Sequence, residues 1–591
     1  MRESVFLFLS LVIVLISSCV DDRDLTQNTV IAHITSQPDG LHPTNDNSAN
    51  RTYVFNYTQR TLVKLDIDKL EIVPTLVKSL PTVSEDGLEY TYELVDGVKW
   101  DDGSPLEVDD VIHSTKVVLC PLTNNSQVRG NYTSVIKAVR KHPTDNRKFI
   151  MEAFDKHVSN KEIFAELYLQ QKSRWDSKGA LDELSFKDIH SKDFKATKGV
   201  ASWFEKYNDS KNRYEAHRLV GLGPYQVTKW DDGSQITLTR KKNWWGDDSD
   251  YIDDQNNPDK IIFRVIADDA PVYMALKRQK LDVSTYIATQ KLIQLKKIDY
   301  FNENYHSDFV NQYAYAYLGM NTKPDGLEHK PFFTDQKVRR AMAYLTPVDQ
   351  VIKVVLKGKG EPQVANVSPL KKNVYNFDLK PIEFDIEKAK ALLDEAGWKD
   401  TDGDNVRDKV VNGEKFQFEF KLNYMTGNKL TELGVLMIKE QMYKAGIKAV
   451  PNPMEFTLFY DNAQKHKFDM MWGAWGGSAG YSDPYQLWHT SSWANKGSNF
   501  CGFGDAESDS LIALANKSLD PVKHADATKA LQAKIYKDQP YVFMYSYKRK
   551  IAIHKRFDNN KMYSEKPGVA LGNLLLNAKY GGPNMKPTKP D

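Results

Sequence analysis

The stretch "FDMMWGAWGGSAGYSDPYQLWHTSS", residues 468–492, contains Gly476-Gly477-Ser478-Ala479-Gly480, which fits the G-x-S-x-G pattern of a hydrolase nucleophile elbow. That elbow needs a strand, a sharp turn and then a helix, with an acid and a histidine downstream. "FDMMWGAW" supplies a strand, and Asp483 followed by His489, His524 or His554 supplies the residue types. Pro484, however, falls where the helix should be running, and a proline inside a helix costs roughly 3 kcal/mol. The stretch therefore reads as a wall rich in glycine and tryptophan, with Ser478 as a hydroxyl that accepts or donates a hydrogen bond. Trp472 and Trp475 stand three apart, so in a strand they face opposite ways and one of them faces a cleft. Gly473, Gly476 and Gly477 allow backbone to approach a ligand closely.

Outward from this wall, the chain of 591 residues is too long for one hydrophobic core and predicts two or three domains. Apolar residues make up 41% and charged residues 27%, a globular balance. Lys+Arg 80 against Asp+Glu 78 leaves +2, which gives no electrostatic reason to expect nucleic acid as a partner. The 13 histidines show neither H-E-x-x-H nor paired spacing, so no metal centre is expected from them, and no cofactor motif is present.

Val5 to Ile16 is an apolar run of about a dozen residues, shorter than the roughly 20 of a spanning helix, and reads as a signal-peptide core. Ile16-Ser17-Ser18-Cys19 resembles a bacterial lipobox, which implies cleavage before Cys19 and lipid on its sulfur. The polar run "VDDRDLTQNT" then reads as a tether. Cys120 and Cys501 remain, as one disulfide or as two buried free thiols.

Local signals are clear further along. Leu88, Tyr90, Tyr92 and Leu94 alternate, turns follow at Asp96-Gly97 and Asp102-Gly103, and Asp109 is expected to cap a helix through Leu119. Residues 225–240 read as a hairpin turning at Asp231-Asp232-Gly233. Residues 335–360 read as an amphipathic helix interrupted at Pro347, with Arg339 and Arg340 facing solvent. Asp385 caps a helix with Ala389, Leu392, Leu393 and Ala396 inward and Gly397 closing it. Asp400, Asp402 and Asp404 have the spacing of a calcium loop. The glycine and the last glutamate of that loop are replaced by Asn405 and Val411, so a turn is expected there.

Six blocks in order carry a family resemblance: "VKWDDGSPLEVDDVIHS", "GLGPYQVTKW…GSQITLTRKKNWWG", "VRRAMAYLTPVDQVIKVVLKGKG", "FDIEKAKALLDEAGWKDTDGDNVRDK", "FDMMWGAWGGSAGYSDPYQLW" and "GSNFCGFGDAESDSLIALA". The chain resembles the family 5 extracellular solute-binding proteins, the dipeptide- and oligopeptide-binding components of ABC importers. The resemblance implies an α/β fold of the periplasmic-binding-protein-like type II class in its large three-domain form, two lobes joined by hinge strands around a ligand cleft. It implies a signal peptide at 1–18, a tether at 19–28, domain I from 29–60, 215–305 and 540–585, domain II at 61–214 and domain III at 306–539. The implied partners are a peptide or similar polar solute, permease subunits, and a membrane reached through Cys19. A periplasm-facing, lipid-anchored monomer is expected, with no catalytic residue and no cofactor. A signalling receptor or adhesin on the same scaffold, or a serine hydrolase using Ser478, are the alternatives.

The resemblance also places ligand contacts at Trp475, Gly476, Gly477, Ser478, Tyr481, Asp483 and Trp472. Peptide-binding members of the family have a Trp followed three residues later by an Asp that receives the peptide α-ammonium. Here Trp475 matches, but Ser478 stands where the Asp belongs. A hydroxyl cannot pair a charge, and a charge-assisted hydrogen bond is worth about 1.5–3 kcal/mol. Asp483 is the nearest carboxylate that could compensate. A tyrosine of "NQYAYAYLGMN" (311–321) is expected to reach the cleft, the others there packing in the core.

Overall fold

Runs of aromatic and β-branched residues, buried on both faces over much of their length, write the central strands of the sheet. Tyr305–Met320 and Tyr541–His554 are the two longest strands, and they pair antiparallel along nearly their whole length. The structure, a computed structural model, describes residues 23–583 apart from 47, 216, 217, 250, 326, 327, 412, 495 and 496. The signal segment expected at 1–18 and the lipidation site expected at Cys19 lie outside the described residues.

Among the described residues these two strands lie at the middle of an eleven-stranded mixed sheet. On one side follow Met470–Trp475, Glu419–Met425 and Lys448–Met454; on the other, Val283–Ser284, Thr29–Ile34, Lys260–Val265, Gln235–Arg240 and Tyr225–Asp231. The pairing of the long strands loses register between Asn311 and Tyr315. Before that break Tyr305–Asn311 pairs with Lys548–His554; beyond it Tyr315–Gly319 pairs with Tyr541–Ser546. The irregularity marks where one half of the sheet ends and the other begins.

Each half buries its own apolar residues. Val30, Tyr57, Phe263 and Ile551 pack on the first half, with Leu276, Leu292 and Phe301 in a second cluster. Leu318, Val338, Leu393, Val435 and Trp472 form the main core of the other half. A further core, built around Tyr90, Tyr92 and Phe149, belongs to a four-stranded antiparallel sheet spanning residues 82–153. The result is a mixed α/β molecule, and no helix among the described residues is long and apolar enough to cross a membrane.

Most local signals hold. The hairpin pairs Tyr225–Asp231 with Gln235–Arg240, and Gly233 takes φ +66 in its turn. Asp385 accepts the Lys388 N–H at 2.9 Å to start Ile386–Glu395, and Gly397 takes φ +82 after its end. Helices Gln336–Tyr344 and Val348–Val355 break around Pro347.

Other expectations are corrected. The helix Val108–Leu119 is capped by Glu107 and Asp110 in a reciprocal box, while exposed Asp109 pairs with Lys141. Arg339 does not face solvent: it is buried, and its guanidinium donates to the carbonyls of Phe333, Thr334 and Asp538, satisfying chain ends that no helix bond reaches. Arg340 donates to Gln539 at 2.7 Å. Cys120 and Cys501 are both buried and free, in different cores. In the acidic loop Asp404 accepts from Gln417, and Asp408 takes its place beside Asp400 and Asp402. Lys415 stands among them, 2.8 Å from Asp402 and 3.2 Å from Asp408. The stretch expected as a tether is docked from Arg23 on: Arg23 pairs with buried Asp282, and Arg556 holds the carbonyls of Leu25 and Gln27.

Candidate functional site

Strand Met470–Trp475 delivers the wall. Its register against Tyr315–Met320 sends Trp472 and Trp475 to opposite faces. Trp472 is buried at 4% exposure in the main core, against Gly434 and Tyr545. The expectation that Trp472 touches ligand is thereby corrected: a strand face packed under helix Lys429–Lys444 has no opening. Trp475 lies on the other face, ring-parallel to Tyr317 and Phe500, and its Nε1–H donates to Tyr541 Oη at 3.3 Å.

The glycines divide by role. A Cβ on Gly473 would sit 2.4 Å from the Tyr317 ring, and one on Gly477 2.8 Å from the Tyr313 carbonyl oxygen. Those two make room for the protein's own tyrosines on their Cβ side; this corrects the expectation for Gly473, which is buried, whereas Gly477 also borders open space. Gly476 has nothing within 4 Å and is open.

Past Trp475 the chain runs without helix to Pro484, and only the four-residue turn Tyr485–Trp488 follows. No elbow forms. The three downstream histidines bond elsewhere, His489 to Ser491, His524 to the Ala515 carbonyl and His554 to Gln279.

Two adjoining chambers meet at Gly477 and Ser478, which line both. One, of about 360 Å³, is walled by Tyr53, Asn56, Lys64, Tyr168 and Glu565. The other, of about 100 Å³, is walled by Tyr313, Lys371, Trp475, Tyr481 and His524. Of residues 311–321, Tyr313 and Tyr315 reach this second chamber. The walls therefore come from both halves of the sheet and from the 160–168 segment, with loop 476–483 between them.

Charged groups converge on that loop from three directions. Lys371 Nζ donates to the Gly480 carbonyl at 2.5 Å and to Ser482 Oγ at 3.1 Å. Burial lowers its pKa to about 8, partly opposed by Glu565 and Glu162. Burial raises Glu162, which accepts a hydrogen bond from the Tyr481 backbone. Glu565 is 4% exposed and accepts the Ala479 N–H at 2.5 Å. Sequence reasoning missed all three. Each sits in a polar stretch that reads as surface, and only folding brings them together.

Asp483 and Tyr481 join the two sides. Asp483 accepts from the Tyr485 N–H at 2.8 Å and from Asn516 at 2.9 Å. His157 faces it at 3.7 Å; Nδ1 of that ring accepts the Ser159 N–H, which leaves the proton on Nε2, toward the carboxylate. Burial lowers the His157 pKa while Asp483 opposes the shift. The Tyr481 hydroxyl donates to Asn516. Nearby, the Val158 N–H donates to the Asn516 carbonyl at 2.7 Å, and Lys517 pairs with Asp155 at 2.6 Å. These bonds join the 155–158 segment to residues 516 and 517.

Comparison with known proteins agrees with this architecture. The chain is 27% identical over 532 residues to the oligopeptide-binding protein AppA of Bacillus subtilis, covering 89% of this chain and 87% of that protein. It is 25% identical over 450 residues to the nickel-binding periplasmic protein of Escherichia coli, covering 74% and 75%. The solved structure of the Bacillus subtilis AppA in complex with a nonapeptide superposes with a TM-score of 0.68 at 24% identity, covering 93% of this chain and 99% of that one. The pattern of the bacterial extracellular solute-binding proteins, family 5 Middle, matches residues 71–498. More than half of the sequence is thus accounted for by one family, and the chain belongs to the bacterial extracellular solute-binding proteins, family 5.

Proposed function

We propose that this chain is the substrate-capturing component of an ABC importer, enclosing a peptide or a similar polar solute and passing it unchanged to a membrane permease. The observation that carries the reading is the pair of chambers that share Gly477 and Ser478 and are walled from both halves of the sheet. Chambers of this size, lined by aromatic rings with a few polar groups, suit a small polar ligand. Closure around it creates a surface that the empty form lacks, so occupancy is signalled by shape.

On this reading Trp475, Gly476, Gly477, Ser478 and Tyr481 contact ligand, and Asp483 acts at the rim, since its oxygens already serve Tyr485, Asn516 and His157. The register break at Asn311/Tyr315 is the hinge between a lobe made of domains I and II and a lobe made of domain III. The protein works as a monomer at the cell envelope, held to a membrane through Cys19. The Bacillus subtilis relative, an oligopeptide-binding protein solved with a nonapeptide, supports peptides as the ligand class.

Native mass spectrometry of freshly purified protein tests this. Bound masses that resolve into short peptide compositions are expected. A bound species of any other class contradicts the ligand assignment, and a substrate converted to new products contradicts the function.

A further inference from the structure

Glu565 is a carboxylate in an unusual position. It lines the larger chamber beside Gly477 and Ser478, at 4% exposure. Its Oε2 accepts the Ala479 N–H at 2.5 Å and its Oε1 the Lys566 N–H at 2.9 Å. Among the described residues no cation stands within ion-pairing distance of it. Lys371 acts on it only from farther off, with two of its three ammonium hydrogens given to Gly480 and Ser482. Of the two lysines that line the chamber, Lys64 is paired with Asp253, and Lys566 bonds to Glu565 through its backbone N–H and not through its ammonium.

A carboxylate offers about four acceptor sites, and two are filled here by backbone. A buried charge without a counter-ion is unfavourable unless something pairs with it. Glu565 itself borders the chamber. The partner that removes the penalty is therefore a cationic group on whatever occupies the chamber.

We propose that Glu565 receives the ammonium group of the bound solute, performing from the C-terminal loop the service that Ser478 cannot perform. The assignment rests on the peptide reading above. It makes cation recognition conditional on closure, because the same carboxylate is bonded across to Ala479 of the wall. Solutes with a free primary amine at one end are selected, and the geometry gives no comparable reward to a neutral amide there.

The experiment uses the full chain, freed of co-purified ligand, and a mixed-sequence pool of peptides of two to five residues, either free or N-acetylated. Binding is read by native mass spectrometry and calorimetry. Wild type is expected to favour the free-amine pool by about tenfold or more, the worth of a charge-assisted hydrogen bond. Glu565→Gln is expected to lose that preference while still binding the acetylated pool as wild type does, which also reports that it folds. Glu565→Asp, which keeps the charge, is expected to retain a preference for the free amine. Equal binding of both pools by wild type, or an undiminished preference in Glu565→Gln, overturns the role of Glu565 and leaves the peptide reading standing. Binding of neither pool by wild type overturns both.

Discussion

Lys371 shows how one residue reports on the closed site. Its ammonium is held among Gly480, Ser482, Glu162 and Glu565, and burial brings its pKa down from 10.5 to about 8. Between those values the unfolded chain holds the proton more tightly than the folded one. Stability contributed by this group therefore rises with pH across that window and is flat below it. Chemical denaturation of wild type and Lys371→Met from pH 8 to 10.5 checks the sign: wild type is expected to gain on the variant as pH rises. Parallel curves would mean that Lys371 is not held in this environment. Glu162 has the opposite sign, since burial raises it: its contribution is present below its unfolded pKa of 4.5 and is lost as pH climbs through the raised value.

At the scale of an element, strand Met470–Trp475 separates packing from binding by its two faces. Trp472 fills the core under Gly434, so Trp472→Ala is expected to cost about 3–5 kcal/mol in urea unfolding. Trp475→Ala removes a half-buried ring from the chamber wall, so its effect on ligand affinity should exceed its effect on stability. Equal loss of stability in both variants would contradict the assignment of faces. The alternation that places these rings was legible in the sequence, as were the hairpin at Gly233, the cap at Asp385 and the break at Pro347. Arg339 was not, because its partners are carbonyls of Phe333, Thr334 and Asp538 that only tertiary packing brings near. Gly473 and Gly477 were recognised as places of close approach, but what approaches is Tyr317 and Tyr313. Nothing local marks a glycine as serving a neighbouring strand rather than a ligand.

For the whole molecule, the order of six motif blocks was enough to indicate the family, and the eleven-stranded sheet among the described residues supplies its physical frame. The site was less legible, because its walls come from segments near residues 53, 162, 371, 478 and 565, which no sequence period connects. The two long strands run through both halves of the sheet, and their register slips between Asn311 and Tyr315. On the proposed reading a slip at that point lets the halves bend while each keeps its own core, and the contacts from Asp155, His157 and Val158 to Lys517, Asp483 and Asn516 would hold the closed form. Ligand shifts the balance only by preferring that form. Small-angle scattering of the ligand-stripped chain, before and after adding a peptide shown by calorimetry to bind, tests this most directly. A smaller radius of gyration on saturation is expected; a saturated protein with an unchanged radius would contradict capture by closure.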